Sequence, residues 1–300
     1  MAFLCLTDAV VDASVNITNQ SSAMPPLAHD CNKESAILGM FVIDLYWWPT
    51  ENGKKVATLL EETDLEYRIV PINIRNGDQL DPDFLRLSPN GRMPAIVDHD
   101  PRGGAGPLAV FESGAILMYL ADKVSRFWPQ NPDRKWEVVQ WVLWQSANQG
   151  PKFGEQGYFR RNSSIGNDLS YSIRRFDAEV HRIFGVLNLG LHQKHFLAAD
   201  EYTIADIACY SWAATWPNRD IDIDEFPNVK RWLADLAARS AVQRGMALRT
   251  ELLDLNKVVA PDEQSRRTAL LSYQRAQSVP TSWGGRGVGL RDAAFINLAA

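Results

Sequence analysis

Two short stretches of this 300-residue chain carry residues placed to hold a peptide. The first is Ser88-Pro89-Asn90-Gly91-Arg92, a turn by composition, followed by the apolar run Met93 to Val97. Pro94 stands almost at the start of that run. Proline donates no ladder hydrogen bond and belongs at a first strand position or an edge. It also pushes Met93 towards extended geometry. The backbone N–H and C=O of Met93 then point outward, free to pair with an extended peptide. A cis Met93–Pro94 bond would fix the corner, but cis is the minority form of X-Pro and the residues alone do not select it. The second stretch is Glu112-Ser113-Gly114, ahead of the helical run Ala115 to Val124. Ser113 reads as a helix cap, and the unpaired N–H groups at the helix start suit an anion such as a carboxylate. The same residues also read as a hairpin and a capped helix with no ligand at all.

The elements that would position these groups alternate. Phe41 to Tyr46 reads as a strand, and Trp47 to Gly53 as a loop leading into a helix over Lys54–Glu62. Tyr67 to Asn73 is a second strand, and Asp81–Leu87 a short helix with Pro82 in its first turn, where proline fits. The Met93 strand, a strand over Leu108–Phe111 and the helix to Val124 follow. Strands and helices alternating over this span predict a small mixed sheet with helices on its faces. Residues 125–133 contain two prolines and read as a linker.

Beyond it the chain reads as helical almost throughout. Trp136, Val139, Gln140, Leu143 and Trp144 fall on a 3.6-residue period, and a long helix is expected from about Asp168 to Leu189. Thr203-Ile204-Ala205-Asp206 is a capping box of the acidic kind, which gives Asp206 a structural role. Cys209, in the apolar run behind it, is expected to be buried and inert. Phe226-Pro227-Asn228-Val229 opens what reads as the last helix, with Val229, Trp232, Leu233 and Leu236 inward. The expected division is an extension over 1–40, an α/β domain over 41–124, a linker over 125–133, an all-helical domain over 134–252 and a C-terminal extension over 253–300.

Composition removes several function classes. With 46% hydrophobic and 22% charged residues the chain is globular. A net charge of -5 without a basic run predicts no nucleic-acid surface. No apolar stretch is long enough for a membrane span, and the start lacks the pattern of a signal peptide. A cytoplasmic location without membrane association is expected. Three widely spaced cysteines (Cys5, Cys31, Cys209) and five histidines in no ligand-spaced cluster predict neither a disulfide framework nor a metal site.

The segments Asn90-Gly91-Arg92-Met93-Pro94-Ala95, Phe111-Glu112-Ser113-Gly114-Ala115-Ile116 and Tyr202-Thr203-Ile204-Ala205-Asp206-Ile207-Ala208 together resemble the cytosolic glutathione transferases. More local positions, among them Pro49-Thr50, Asn52-Gly53-Lys54, Ala95-Ile96-Val97-Asp98-His99, Gln140-Trp141 and Gly150-Pro151, resemble the Nu class of that family. Its members are also described as glutathione-dependent disulfide-bond oxidoreductases and as relatives of yeast Ure2. The likeness runs over roughly residues 42–250 and is silent on both extensions. It implies an α/β thioredoxin-like N-terminal domain plus an all-α C-terminal domain, the glutathione transferase fold, and a homodimer. It implies a cis Met93–Pro94 bond and glutathione as cosubstrate, in sites sized for two molecules, with no metal. Met93 backbone atoms would pair with the cysteinyl segment beside Pro94. Glu112 would take the γ-glutamyl amine and Ser113 its carboxylate, which agrees with their charge chemistry. Gln79 would reach the glycyl end, and Arg175, on the long helix, would help hold the carboxylates.

In a thioredoxin-like domain the loop after the first strand carries the sulfur chemistry. Here that loop is Trp47-Trp48-Pro49-Thr50-Glu51-Asn52 and holds no cysteine, which rules out a CxxC dithiol at this position. What remains is activation of a bound glutathione. The resemblance gives Thr50 and Asn52 that catalytic role, as donors to a thiolate at a helix N-terminus. Thr50 also reads as a plain N-cap, Asn52 as a turn residue before Gly53, and Tyr46 as a packing residue in the strand. Three activities are compatible: reduction of small disulfides; transfer to, or thioether or β-aryl ether cleavage of, an aromatic electrophile held near Trp47, Trp48, Phe153, Tyr158 and Phe159; and a non-catalytic, Ure2-like regulatory role.

Overall fold

The computed structural model describes residues 42–74, 77–104, 106–163 and 168–250. The expectations for residues 1–40 and 253–300, with Cys5 and Cys31, lie outside the described residues.

Strand β1 (Ile43–Trp47) buries Ile43, Leu45 and Trp47 completely. Helix α1 (Glu51–Thr63) begins three residues earlier than expected. Asn52 and Gly53 read as turn residues, yet they form its first turn because Thr50 caps it. Thr50 is extended (φ -101°, ψ 160°), and its Oγ1 accepts from the Gly53 N–H at 3.2 Å. Gly53 is required by close approach: a Cβ there would lie 2.4 Å from the Trp48 carbonyl oxygen. Asp64, left-handed at φ 56°, ends the helix.

Strand β2 (Tyr67–Pro71), α2 (Pro82–Leu87), β3 (Ala95–Asp98), β4 (Leu108–Phe111) and α3 (Ser113–Val124) complete the domain. The sheet order is β2-β1-β3-β4, with β2 parallel to β1 and β3 antiparallel to both neighbours. Strand β3 starts two residues later than expected. The Met93–Pro94 peptide is cis, and the ladder opens at Ala95, opposite Tyr46 and Phe111. This is the thioredoxin-like α/β arrangement.

The second half is helical: α4 (Pro132–Trp144), α5 (Gly150–Arg161), α6 (Ser170–Gly190), α7 (Ile204–Ala213), α8 (Pro227–Ala237) and α9 (Ser240–Ala247). The inward face of α4 is not the one its period suggested. Val138 and Val142 are the buried residues, while Trp136 is 70% and Leu143 57% exposed. The large apolar side chains dominated the count, but the helix turns its small β-branched stripe towards α7, where the close packing is.

Between α4 and α5 the chain makes a π-helical turn, Gln145–Gln149, in which the Gly150 N–H reaches back to the Gln145 carbonyl. Pro151 follows and has no N–H to give, so the wider turn keeps the helix continuous. It aims Gln145 and Gln149 inward, both with no exposed surface.

The capping box at α7 is present. The Asp206 carboxylate accepts the N–H groups of Thr203 (3.1 Å) and Leu197 (3.0 Å) and the indole N–H of Trp232 (2.9 Å). Burial pushes its carboxyl up to about 6, against the downward pull of those donors. A further helix, α9, follows the one expected to be last. It packs on α1 so closely that a Cβ at Gly245 would lie 2.5 Å from the Thr58 Cα.

Candidate functional site

The first turn of α1 presents two polar side chains whose acceptor sides are already taken. Thr50 Oγ1 accepts from the Gly53 N–H, and among the described residues its proton meets only the thioether of Met93, 3.9 Å away, a weak acceptor. Asn52 is half-buried, and its Oδ1 lies 2.9 Å from Trp212 Nε1 on α7. An indole nitrogen can only donate. The amide oxygen therefore faces Trp212, and the Asn52 NH2 is left to donate. A hydroxyl and an amide with their donor sides open, at the positive end of a helix, suit a soft anion. Tyr46, by contrast, is half-buried with its ring tilted on Phe84 at 6.1 Å, and burial pushes its phenol up to about 12. It is a packing residue.

The start of α3 differs from the expectation in one respect. Glu112, not Ser113, is the N-cap residue, and it makes no side-chain cap bond. Its backbone sits at φ 71°, a region an L-residue with a side chain enters at a cost. The exposed Glu112 carboxylate makes no cap bond, and the N–H groups of Ser113, Gly114 and Ala115 stand at the first turn. Ser113 is 8% exposed, and its Oγ accepts from Lys55 Nζ at 3.2 Å. Met93, beside the cis bond, is 9% exposed and carries the thioether that meets Thr50. Gln79 is 1% exposed, and among the described residues both of its amide atoms lack a partner. A buried, unpaired amide is costly.

The aromatic wall is largely not a wall. Trp47 and Phe153 have no exposed surface and Trp48 has 3%. Trp47 lies under Gly53, and Phe153 is held between Phe184 and Trp212, at centroid distances of 5.5 and 6.2 Å. They pack in the core where the strand end and α5 turn inward, and they offer no surface to an acceptor. Tyr158 and Phe159 are half-buried and reach the surface. Arg175 is exposed on α6, where its charge acts on Glu179; the structure shows no contact bringing it to Thr50 or Ser113.

Four residues of the site's surroundings were not anticipated. Trp212 orients Asn52. Lys55 and Gln145 meet beneath Ser113. Arg219 lies 4.6 Å over the Phe153 ring and donates to the Phe153 carbonyl at 2.8 Å, and burial pulls its guanidinium down to about 10. Lys55 left a trace in the sequence, since it precedes Leu59 by one helical turn and so shares the inward stripe of α1, and Gln145 is one of the positions that carry the family resemblance. The others depend on partners more than 60 residues away. Among the described residues no group of His, Cys, Asp and Glu could hold a metal ion, and no helix is long and apolar enough to cross a membrane.

Comparison with known proteins agrees with this fold. Residues 42–122 match the glutathione S-transferase N-terminal domain, and residues 174–240 match the C-terminal domain. The disulfide-bond oxidoreductase YfcG of Escherichia coli is 40% identical over 213 residues, spanning 71% of this chain and 98% of that protein. Among solved structures, a glutathione transferase from Pseudomonas putida with one glutathione disulfide bound per subunit superposes with a TM-score of 0.65. It is 38% identical and covers 69% of this chain and 91% of its own. A glutathione transferase family member from Pseudomonas fluorescens, with two glutathione bound, gives a TM-score of 0.63 at 39% identity, over 68% of this chain and 92% of its own. With both domain models matched and a relative of this identity spanned almost end to end, the chain belongs to the glutathione S-transferase family.

Proposed function

We propose that this protein is a Nu-class, glutathione-dependent disulfide-bond oxidoreductase. The observation that carries the reading is the start of α1, where Thr50 and Asn52 have occupied acceptor sides, open donor sides and no cysteine beside them. Such a site stabilises a thiolate that arrives with a ligand. Glutathione is anchored with its cysteinyl segment on the Met93 backbone, its γ-glutamyl carboxylate at Ser113 and the α3 N-terminus, its amine on Glu112 and its glycyl end towards Gln79. Its thiolate attacks one sulfur of a small disulfide, forms a new S–S bond and expels the other half as a thiolate. A second glutathione thiolate then attacks the glutathione sulfur of the mixed disulfide. It releases the remaining half as a thiolate and leaves glutathione disulfide.

The printed activity of the E. coli relative, and the glutathione disulfide and paired glutathiones of the two solved relatives, support this chemistry. Transfer to a large aromatic electrophile is the weaker reading, because Trp47, Trp48 and Phe153 are sealed in the core. The protein works as a cytoplasmic homodimer in this reading, and light scattering at micromolar protein should give the mass of two chains; one chain overturns the dimer. The function itself is tested by turnover of glutathione with a small symmetrical disulfide, in wild type and with Cys5, Cys31 and Cys209 all replaced by Ala. Both should form glutathione disulfide at similar rates. A dead wild type, or a folded cysteine-free protein without activity, refutes it.

A further inference from the structure

Lys55 is 2% exposed, one of the largest fully buried side chains of the protein. A buried ammonium ordinarily has a carboxylate beside it. Here the hydrogen-bond partners of Nζ are neutral: Ser113 Oγ at 3.2 Å and, in a shorter contact, Gln145 Oε1. The Nε2 of Gln145 is itself buried without a partner among the described residues. The groups facing Lys55 come from three sides. From α3 the nearest charge is Glu112, exposed at the surface; from α7 it is the Cys209 thiol, which burial pushes well up and so keeps neutral; the π-helical turn, Gln145-Ser146-Ala147-Asn148-Gln149, carries no charged or titratable side chain. On the α9 side, Arg239 and Arg244 are spent on Glu62 and Glu61.

We propose that Lys55 is a positioning residue of the glutamyl site, which holds Ser113 from below and takes up a proton when a carboxylate docks at the start of α3. The inference rests on the placement of the γ-glutamyl carboxylate at Ser113. An anion hydrogen-bonded to Ser113 Oγ stands one hydrogen bond further from Nζ, within the range where opposite charge favours the charged form. The ligand's ammonium sits on the exposed side of Glu112, where water screens it. In the free protein, burial pulls the Lys55 ammonium down to about 7. The docked anion reverses part of that loss. Gln145 makes the device span both domains, because the amide that receives Lys55 belongs to the helical half.

The sign and size follow from linkage. If the anion moves Lys55 up by about two units, binding takes up about 0.1 proton at pH 6, about 0.5 at pH 7 and about 0.8 at pH 8. The test uses S-methylglutathione, which has no thiol to titrate. Its binding enthalpy is measured by calorimetry at each pH in buffers of different ionisation enthalpy, and the slope is the proton count. Wild type should show uptake that grows from pH 6 to pH 8. The Lys55→Met variant should bind with that uptake gone, and Ser113→Ala, which keeps the lysine but removes its bridge to the ligand, should lose at least half of it. Binding without uptake in wild type overturns the inference, as does full uptake in Lys55→Met or, should that variant not fold, in Ser113→Ala. No binding at all overturns the glutathione reading and this inference with it.

Discussion

Replacing Thr50 with Val keeps the shape of the side chain and removes its hydroxyl, which serves two ends. Its oxygen caps α1 through the Gly53 N–H, and its proton meets only a weak acceptor, the Met93 thioether, among the described residues. Losing the cap should cost about 1 kcal/mol of stability. Losing a donor to a thiolate should cost about 1.5–3 kcal/mol of thiolate stabilisation, or about 1–2 units in the bound thiol at 1.36 kcal/mol per unit. The rise has a ceiling, because a free thiol titrates near 8.5. From a wild-type value near 7, the thiolate at pH 7 falls from about half to about 3–10% of the complex. The rate falls less than the thiolate does. A more basic thiolate is a better nucleophile, with a Brønsted slope of about 0.4–0.5, so a net loss of about two- to threefold is expected at pH 7. Above pH 9, where both forms are ionised, Thr50→Val should match or overtake wild type. The assay is ultraviolet thiolate absorbance of the glutathione complex against pH, with turnover alongside and Thr50→Ser as the variant that keeps both cap and donor. A Thr50→Val complex that titrates like wild type refutes the assignment. The refutation is complete if Tyr46→Phe abolishes the thiolate instead.

Three other outcomes are expected. Trp212→Phe keeps the ring that packs on Phe153 but frees the Asn52 amide to rotate; one neutral hydrogen bond of about 0.5–1.5 kcal/mol predicts a two- to tenfold loss of turnover with glutathione affinity nearly unchanged, and kinetics showing the reverse split would contradict the role given to Asn52. Glu112→Ala should weaken glutathione by about 1–3 kcal/mol in calorimetry through loss of a charge-assisted bond, towards the low end because Glu112 is exposed; unchanged affinity would move the amine elsewhere. Asp206→Ala removes the acceptor of three buried N–H groups and should lower unfolding stability by about 3–5 kcal/mol; a loss below 1 kcal/mol in denaturant titration would show that water replaces it.

What could be read from the sequence follows the reach of each interaction. The first strand, the capping box at Thr203 and Asp206, the long helix expected from about Asp168 to Leu189 and the turn before Pro94 are specified by residues a few positions apart, and all are present. Ends set by longer contacts were misread. Asn52 and Gly53 resemble a turn until the approach of Trp48 is known. The inward face of α4 is chosen by α7 rather than by its own largest side chains. Helix α9 was missed because it is only eight residues long and has no side-chain cap, and its packing rests on Gly245 meeting Thr58, a contact that its own neighbours do not specify.

The same distinction divides the candidate site. The proposed anchoring groups, Met93, Glu112 and Ser113, belong to two short segments of one domain, and each can be found from its own neighbours. The groups that set the chemistry's geometry cannot. Asn52 is oriented by Trp212, 160 residues away, and Lys55 is received by Gln145, 90 residues away. Both partners come from the helical domain, and both act on the first two turns of α1. The helical domain therefore does more than border an acceptor. Without Trp212 the Asn52 amide has no fixed direction, and without Gln145 a buried ammonium loses one of its two partners. In the proposed reading the thioredoxin-like domain keeps its thiol in the ligand instead of its own chain, and so has to aim donors at a sulfur it does not hold covalently. The contacts across the domain boundary supply that aim, which is why a sequence motif confined to the first domain locates the site but leaves its donors unoriented.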